Sequence, residues 1–343
     1  MSAMYESQHT IRAAHALHLI EVVKRWDVRG DELLAGTGMT RGALAHPLAR
    51  IPIPVLTSLL ERARRLTGEP ALGMHIGLQT SPTLYGAVGF ALLSAGTIRE
   101  AIEISNRYGR LVTTAVTVRL QTEGPVASLV VDEHADFGSA RDIAMMTTVV
   151  ALWQISRQLT GRDLVTSMAE FAFPPPARPS ELEAQGLRMR FDRPANRLTF
   201  DARSLALPYT MPDAVASQWA QERCQGELDV LGRNAELAAR VRGLLASSGG
   251  SARGLEEVAA AMNQSPRTLK RHLRARGLSF SALRAGHVHE RAMTLLRSAD
   301  LSLDDVARRV GFTSVRNFER AFRRWTGTSP AEYRRTASAR STD

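Results

Sequence analysis

The stretch LDDVARRVGFTSVRNFERAFRRWTG (303–327) repeats an earlier stretch of the same chain, LEEVAAAMNQSPRTLKRHLRARG (255–277). Val258 and Ala259 of the earlier copy correspond to Val306 and Ala307 of the later one. Such a repeat is typical of one structural unit that is used twice. Further along, Leu269, Arg271 and Leu273 recur 49 positions later as Phe318, Arg320 and Phe322.

Each copy predicts two short helices joined by a tight turn. In the first copy, Leu255, Val258, Ala259 and Met262 lie at i, i+3, i+4 and i+7, the spacing of a buried helical stripe. Ser265 then caps a second helix, which begins at a proline. This arrangement is a helix-turn-helix, whose second helix enters the major groove N-terminus first. The second copy supplies Leu303, Val306, Ala307 and Val310 as the stripe, Gly311 in the turn, and Thr313 or Ser314 as the cap.

The polar faces of the two recognition helices carry residues suited to DNA. Arginine can bind guanine with two hydrogen bonds and asparagine can bind adenine, while lysine serves guanine or phosphate. Any one of these side chains alone could belong to a solvated basic face, but six at matched places favour base reading. The predicted base-reading residues are Arg267, Lys270, Arg271, Arg316, Asn317 and Arg320. The predicted phosphate contacts are Ser265, Arg274, Arg276, Thr313, Ser314, Arg323, Arg324, Arg334 and Arg335.

Charge is concentrated in the same part of the chain. Residues 248–343 contain 18 Lys and Arg against 9 Asp and Glu, a net charge of +9, whereas the whole chain carries +10. The first 247 residues are therefore almost neutral. A basic segment of this kind is the electrostatic signature of phosphate binding.

Residues 255–335 resemble the DNA-binding domain of the AraC/XylS family of transcription regulators. The stretch VGFTSVRNFERAFRRWTGTSPAEYR (310–334) is similar to the signature of that family. The resemblance implies seven helices, with two helix-turn-helix units bridged by a long helix, here 280–298, and both recognition helices on one face of the DNA. It also assigns groove reading to the six residues already chosen. The matching signature positions are Gly311, Phe312, Phe318, Phe322, Gly327, Pro330 and Tyr333.

The preceding part of the chain predicts an α+β domain. Apolar periodicity predicts helices within 11–66 and at 97–108, and an almost wholly apolar helix at 140–160. Alternating residues predict paired strands at 112–124 and 126–134 around the Gly124-Pro125 turn, with further strands near 169–173 and 197–200. The phrases LLAGTG, ARIPIPVLTSLLERARRLTGEPALGMHIG and YGAVGFALLSAGTIREAI resemble the arabinose-binding-like regulatory domain of the ornithine-utilisation-regulator branch, from about Val22 to Asp201.

The fold class is thus an α+β N-terminal regulatory domain followed by an all-α DNA-binding domain with two helix-turn-helix units joined by a long helix. We expect a ligand-sensing and dimerisation domain at 11–212, a helical connector and linker at 213–250, and the DNA-binding domain at 251–337. The flexible run is Ser247 to Ser251, which sets the boundary near Ser248. With neither a signal peptide nor an apolar stretch of membrane-spanning length, we expect a cytoplasmic protein.

Candidate ligand residues in the first domain are few. The resemblance to relatives that hold a ligand carboxylate with a cationic side chain singles out Lys24 and Arg25, for which a solvated surface is the alternative. Met145, Met146 and Trp153 could line a ligand cavity or simply pack within the 140–160 helix.

The sequence does not indicate a metal site, a phosphate-binding loop, a disulfide or a catalytic site. His287 and His289 lie two apart on a helix and face different ways, which argues against a metal site. Glycines near 86–89 lack the strand that a phosphate-binding loop requires. The single cysteine, Cys224, excludes intramolecular disulfides and a thiolate zinc cluster. An acid/base role for residues 132–136 is less favoured than a solvated strand end, so we expect no catalytic residues, no metal and no cofactor.

The leading hypothesis is a sequence-specific transcription regulator controlled by a small-molecule effector: an amino acid, a fatty acid or another small carboxylate. Its expected partners are a double-stranded DNA operator, RNA polymerase and a second copy of the chain. The first alternative is a constitutive DNA-binding regulator that acts through protein partners without a ligand. The second is an enzyme that processes a metabolite near DNA.

Overall fold

The computed structural model describes residues 9–37, 39–162, 164, 167–177, 187–210, 212–246, 253–276, 278–297, 301–326 and 328–339. Side chains at 324–326 and 336–339 lie outside that description, as do Gly277 and Gly327, the expected ends of the two helix-turn-helix copies. The chain divides into an N-terminal unit, Met1–Asp229, and a C-terminal unit, Val230–Asp343.

The N-terminal unit combines helices with two β-sheets, and the α+β prediction is confirmed. Its helices are α1 (Ala14–Val23), α2 (Gly30–Leu34), α3 (Arg41–Leu44), α4 (Ile53–Thr67), α5 (Leu72–Leu78), α6 (Ala87–Leu93), α7 (Ile98–Tyr108) and α8 (Arg141–Thr160). Its strands are β1 (Thr10–Arg12), β2 (Arg50–Pro52), β3 (Val116–Glu123), β4 (Val126–Glu133), β5 (Met168–Glu170), β6 (Arg188–Arg190) and β7 (Arg197–Asp201). Short 3-10 helices at Lys24–Trp26, Pro82–Tyr85, Gly109–Leu111, Gly138–Ala140 and Ala202–Ala206 connect them.

The larger sheet has the strand order β3-β4-β7-β5-β6. Strands β3 and β4 form the predicted hairpin, and Gly124 adopts the left-handed conformation with φ +57° in its turn. Strand β4 lies inside the sheet, between β3 and β7, and buries Leu129 and Val131, whereas the edge strand β3 is largely exposed. Strand β6, which the sequence did not predict, adds to β5 in parallel. A separate two-stranded sheet joins β1 to β2.

Helices α5 and α8 pack with unusually close backbones. A Cβ atom on Gly73 would lie 2.5 Å from the carbonyl oxygen of Ile143, and one on Gly77 would lie 2.7 Å from Cβ of Val150. Both glycines are buried, so no larger residue fits without moving a helix. Close packing also explains Gly89, where a Cβ atom would lie 1.7 Å from the carbonyl oxygen of Pro82.

The C-terminal unit is helical, as predicted. A long helix, α9 (Ala214–Ala246), starts within the N-terminal unit, and its last turns belong to the C-terminal one. Within the described residues it is followed by α10 (Leu255–Ala261), α11 (Pro266–Arg274), α12 (Phe280–Leu296), α13 (Leu303–Arg309), α14 (Val315–Thr326) and α15 (Pro330–Ala339). The core contains the stripe residues of both copies, including Val258, Leu269, Val306, Phe318 and Phe322.

The division of the chain lies earlier than the expected boundary near Ser248. Val241 and Leu245, in the last turns of α9, are fully buried within the core of the C-terminal unit. The apolar positions of a predicted connector thus complete a folded core. The predicted flexible run at 247–251 lies outside the described residues.

Candidate nucleic-acid interface and internal cavity

The two helix-turn-helix turns are built alike but differ by one residue. In the first, Asn263 takes a left-handed φ of 54°; in the second, Gly311 takes φ 89°. The turn residues after them bond to matching carbonyls, 264 to 259 and 312 to 307, each at 2.9 Å. The caps follow at Ser265 and Ser314, so the later turn contains one extra residue, Thr313. This extra residue explains why the first helices of the two copies are 48 positions apart, as Val258 and Val306 are, whereas the recognition helices are 49 apart.

The recognition helices α11 and α14 expose the predicted base-reading residues. All six are exposed, whereas Leu269 and Phe318, on the opposite faces of the same helices, are fully buried. Arg320 donates a hydrogen bond from Nη2 to Oδ1 of Asn317 at 3.3 Å, which aligns two of these side chains. Three arginine pairs occupy equivalent positions in the two helices: Arg267 and Arg316, Arg271 and Arg320, and Arg274 and Arg323.

The predicted phosphate contacts fall into different environments. Ser314 caps α14, since its Oγ accepts from the backbone N–H of Asn317 at 3.3 Å; Thr313 lies exposed beside it. Arg334 is half-buried and therefore less available than Arg335, which is exposed. The side chain of Arg324 lies outside the described residues. Ser265 caps α11, and Arg274, Arg276 and Arg323 are exposed.

An internal cavity of about 280 Å³ lies in the N-terminal unit. Helices α1, α4, α5, α6, α7 and α8 and strands β1, β3 and β4 all contribute to its wall. Its apolar lining includes Ile11, Leu19, Ile53, Leu56, Leu60, Ile76, Val88, Leu92, Ile98, Ile102, Val118, Leu129, Phe137, Leu152, Ile155 and Leu159. Its polar lining includes His15, His18, Tyr85, Ser105, Asn106, Arg110, Thr147, Thr148, Ser156 and Tyr209.

The two histidines of the cavity wall are each anchored by one ring nitrogen. His15 donates from Nδ1 to the carbonyl oxygen of Arg12 at 3.1 Å, and His18 donates from Nε2 to that of Ile76 at 3.2 Å. Because a carbonyl oxygen only accepts, the other nitrogen of a neutral ring remains an acceptor. Burial lowers the pKa of His15 to about 4, so this ring is neutral at pH 7. Burial likewise raises the pKa of the Tyr85 hydroxyl.

Arg110 supplies the permanent positive charge of the lining. It is exposed at the rim, and neither it nor Asn106, which is also exposed there, has a side-chain partner among the described residues. Two arginines close to His15 are already paired. Arg12 bonds to Glu227 at 2.5 Å, with both side chains largely buried, and Arg50 donates to the hydroxyl and carbonyl oxygens of Thr10 and to the carbonyl oxygen of Leu111.

The ligand residues expected from the sequence lie elsewhere. Lys24 and Arg25 occupy an exposed 3-10 helix, where Lys24 pairs with Glu21. Met145, Met146 and Trp153 are buried in α8 but do not line the cavity, although Met146 borders a much smaller pocket. The residues that line the cavity come from many separate segments and therefore, as a set, form no local pattern in the sequence. One local signal was present: His15 and His18 lie at i and i+3 in an apolar helix, a spacing that brings both to one face.

The two carboxylates of the strand end that were considered for acid/base chemistry, Asp132 and Glu133, have structural partners. Asp132 forms a two-bond pair with Arg119, and Glu133 bonds to Arg141 at 2.6 Å. Across the described part of the chain, no three His, Cys, Asp or Glu side chains converge as metal ligands would. Among the described helices, none combines the length and the apolar character needed to cross a membrane.

Two family models match the chain. A helix-turn-helix domain matches residues 258–336. The N-terminal arabinose-binding domain of AraC transcription regulators matches residues 28–209, more than half of the chain. The chain belongs to the AraC family of transcription regulators. Both family matches agree with the resemblance seen in the sequence, and each falls within one of the two units.

Relatives of this AraC-family regulator align along nearly its whole length. The ornithine utilization regulator of Pseudomonas aeruginosa is 29% identical over 325 residues, which cover 94% of this chain and 96% of the relative. An uncharacterized HTH-type transcriptional regulator of Mycobacterium tuberculosis is 28% identical and covers 96% and 97% of the two chains. Among solved structures, transcriptional regulator CdpR of P. aeruginosa aligns over 92% of this chain and 97% of its own, with 21% identity and a TM-score of 0.43. Both sequence relatives are named as regulators, and this chain, as a member of the AraC family, is a transcription regulator rather than an enzyme.

Proposed function

We propose that this transcription regulator binds a specific operator through α11 and α14, and that a small molecule bound in the N-terminal cavity controls that binding. The observation that carries the second half of the proposal is the cavity itself. It is mainly apolar with a few polar groups, the usual character of a ligand site. The regulator would act in the cytoplasm, with the operator, RNA polymerase and a second copy of the chain as its partners.

The exposed faces of the recognition helices support sequence-specific binding. Each offers arginines near the N-terminal end of the helix, where helix-turn-helix proteins contact base edges. We propose Arg267, Lys270 and Arg271 for the first set, and Arg316, Asn317 and Arg320 for the second. Arg335 and the other exposed arginines outside these sets would neutralise phosphates and position the protein.

An effector controls such a protein only if it binds one conformation more tightly than another. A ligand inside the cavity would contact α1, α7 and α8 together, because all three helices contribute to its wall. Any rearrangement of these helices would therefore change the ligand contacts. This shared wall gives the ligand a physical means of selecting between conformations.

The names of the relatives do not identify the effector. Ornithine carries two ammonium groups, and neither Asp nor Glu is among the described residues that line the cavity. Arabinose is a polyol, which needs a hydrogen-bond partner for each buried hydroxyl group, whereas this lining is mostly apolar. Both compounds are accordingly useful probes, and we expect neither to bind.

The experiment has two stages. Selection of bound duplexes from a random DNA library with the full chain first identifies an operator. Operator affinity and thermal stability are then measured with L-ornithine, L-arabinose and small apolar compounds of different charge. A sensor gains RT ln(1 + [L]/Kd) of stability and changes its operator affinity. If no compound and no cell extract alters either quantity, the constitutive alternative is correct.

A further inference from the structure

We infer that the cavity binds an acid with an apolar body, whose carboxylate pairs with Arg110 at the rim while the hydrocarbon part fills the interior. The inference rests on the proposed function, because it names the chemical class of the effector at the same site. It narrows the class to apolar monocarboxylates.

The body of the ligand follows from the wall of the cavity. Aliphatic side chains from several helices face it, among them Leu19, Ile102, Leu152 and Ile155. A cavity of about 280 Å³ is roughly twice the ~150 Å³ that accommodates benzene, so it has room for roughly a dozen non-hydrogen atoms. Burying that much apolar surface favours a chain or ring without internal hydroxyl groups.

The head group follows from the charges. Arg110 brings a guanidinium group without a partner among the described residues, and Asn106 adds an amide one helical turn earlier. No Asp, Glu or Lys is among the described lining residues. A carboxylate can therefore be paired, since guanidinium matches it in geometry and charge, but an ammonium group cannot. This argues against an amine and against a zwitterionic amino acid, because the described lining offers their ammonium group no negative charge.

The orientation of the ligand, with its carboxylate at the rim, follows from the position of His15 in the cavity wall. His15 lines the cavity, and because its Nδ1 already donates to the carbonyl oxygen of Arg12, the other nitrogen of this neutral ring can only accept a hydrogen bond. A carboxylate placed there would meet an acceptor and lose its water without compensation. The carboxylate is more stable at the rim, where Arg110 and solvent both reach it.

The test uses the full chain and three probes that share one hydrocarbon body: octanoate, 1-octanol and octylamine. Calorimetric titration gives their affinities for the unmodified protein, for Arg110→Gln and for Arg99→Gln. Arg99 is the matched control, since it is exposed on α7 but does not line the cavity. We expect octanoate to bind roughly tenfold more tightly than 1-octanol and octylamine to bind least. Arg110→Gln should remove that advantage of octanoate, and Arg99→Gln should preserve it.

A second variant reports whether binding occurs in the cavity. Ser105 lines the cavity on α7, so Ser105→Leu should fill part of it and weaken octanoate and 1-octanol alike. Equal binding of octanoate and 1-octanol, unchanged by Arg110→Gln, would overturn the acid assignment and leave effector control intact. Binding of ornithine or arabinose instead would also overturn it. If no probe binds and cell extract leaves operator affinity unchanged, effector control, the second half of the proposed function, fails as well.

Discussion

Arg271 and Arg320 occupy the same place in the two copies, each as the sixth residue of its recognition helix. Both are exposed, and Arg320 is aligned by its hydrogen bond to Asn317. Replacing either with alanine should cost about 1–3 kcal/mol of operator binding and relax the preference at one base pair. Fluorescence anisotropy on the selected operator and its single-base variants measures both effects.

Arg335→Ala is the control for this prediction, because Arg335 is exposed on α15, outside the recognition helices. It should weaken binding to all sequences alike and reduce the slope of affinity against salt by about one. An equal loss on specific and random DNA for Arg320→Ala would contradict base reading by that residue.

His15 should make the N-terminal unit sensitive to acid. Burial is the main reason that its pKa falls to about 4, and His18, Arg12 and Arg50 add repulsion. The unfolded chain takes up this proton near pH 6.5 and the folded chain only near pH 4. Stability is therefore full above pH 6.5 and decreases as the pH falls towards 4, by about 3 kcal/mol.

His15→Gln should remove this part of the acid sensitivity while other groups continue to titrate. The measurement is the free energy of unfolding of the N-terminal unit, by urea, between pH 4 and pH 7. His46→Gln, at an exposed position, controls for the loss of a histidine. If the free energy of unfolding changed with pH in the same way in the unmodified protein and in His15→Gln, the ring of His15 would not be buried in its neutral form.

At the scale of elements, the contact between α5 and α8 depends on two residues without side chains. Gly77→Val should force these helices apart, because even a Cβ atom would lie 2.7 Å from Val150. Overpacking of this kind costs about 1–3 kcal/mol or more. A lower melting temperature of the N-terminal unit in scanning calorimetry is the expected result.

Gly232→Ala provides the opposite control. Gly232 lies within α9, and nothing occupies the space within 4 Å of its missing Cβ atom. Alanine there should raise stability by about 0.5–1 kcal/mol, since it restricts the unfolded chain and favours the helix. If Gly77→Val proved equally harmless, the close approach of α5 and α8 would be wrong.

Elements with a regular apolar period were predictable from the sequence. The hairpin of β3 and β4, helix α8 and both helix-turn-helix copies were all visible as patterns, because their buried residues recur at fixed local spacing. Strand β6 was not visible, since three residues carry too little pattern. The cavity was not visible either: His15 on α1 and Arg110 on the 3-10 helix after α7 are far apart in the sequence and line one space only in the folded unit.

At the scale of the molecule, two separate cores predict two unfolding transitions. Phe200 is buried in the N-terminal unit and Phe318 in the C-terminal one. Phe200→Ala should lower the free energy of unfolding of the N-terminal unit, and Phe318→Ala that of the C-terminal unit, each by about 3–5 kcal/mol. In each variant, the melting temperature of the affected unit should fall. Scanning calorimetry distinguishes them, and a single transition that responds equally to both variants would contradict independent cores.

The extra residue Thr313 makes the two helix-turn-helix copies unequal, and their side chains also differ at matched positions, such as the exposed Lys270 and the half-buried Glu319. A two-fold symmetric reader matches a palindrome, which is the same in both directions. If both recognition helices of one chain read bases as proposed, we expect that chain to bind a site whose two ends differ in sequence. Inverting that site in front of a gene would reverse the bound protein, so the orientation of the operator carries information as well as its bases.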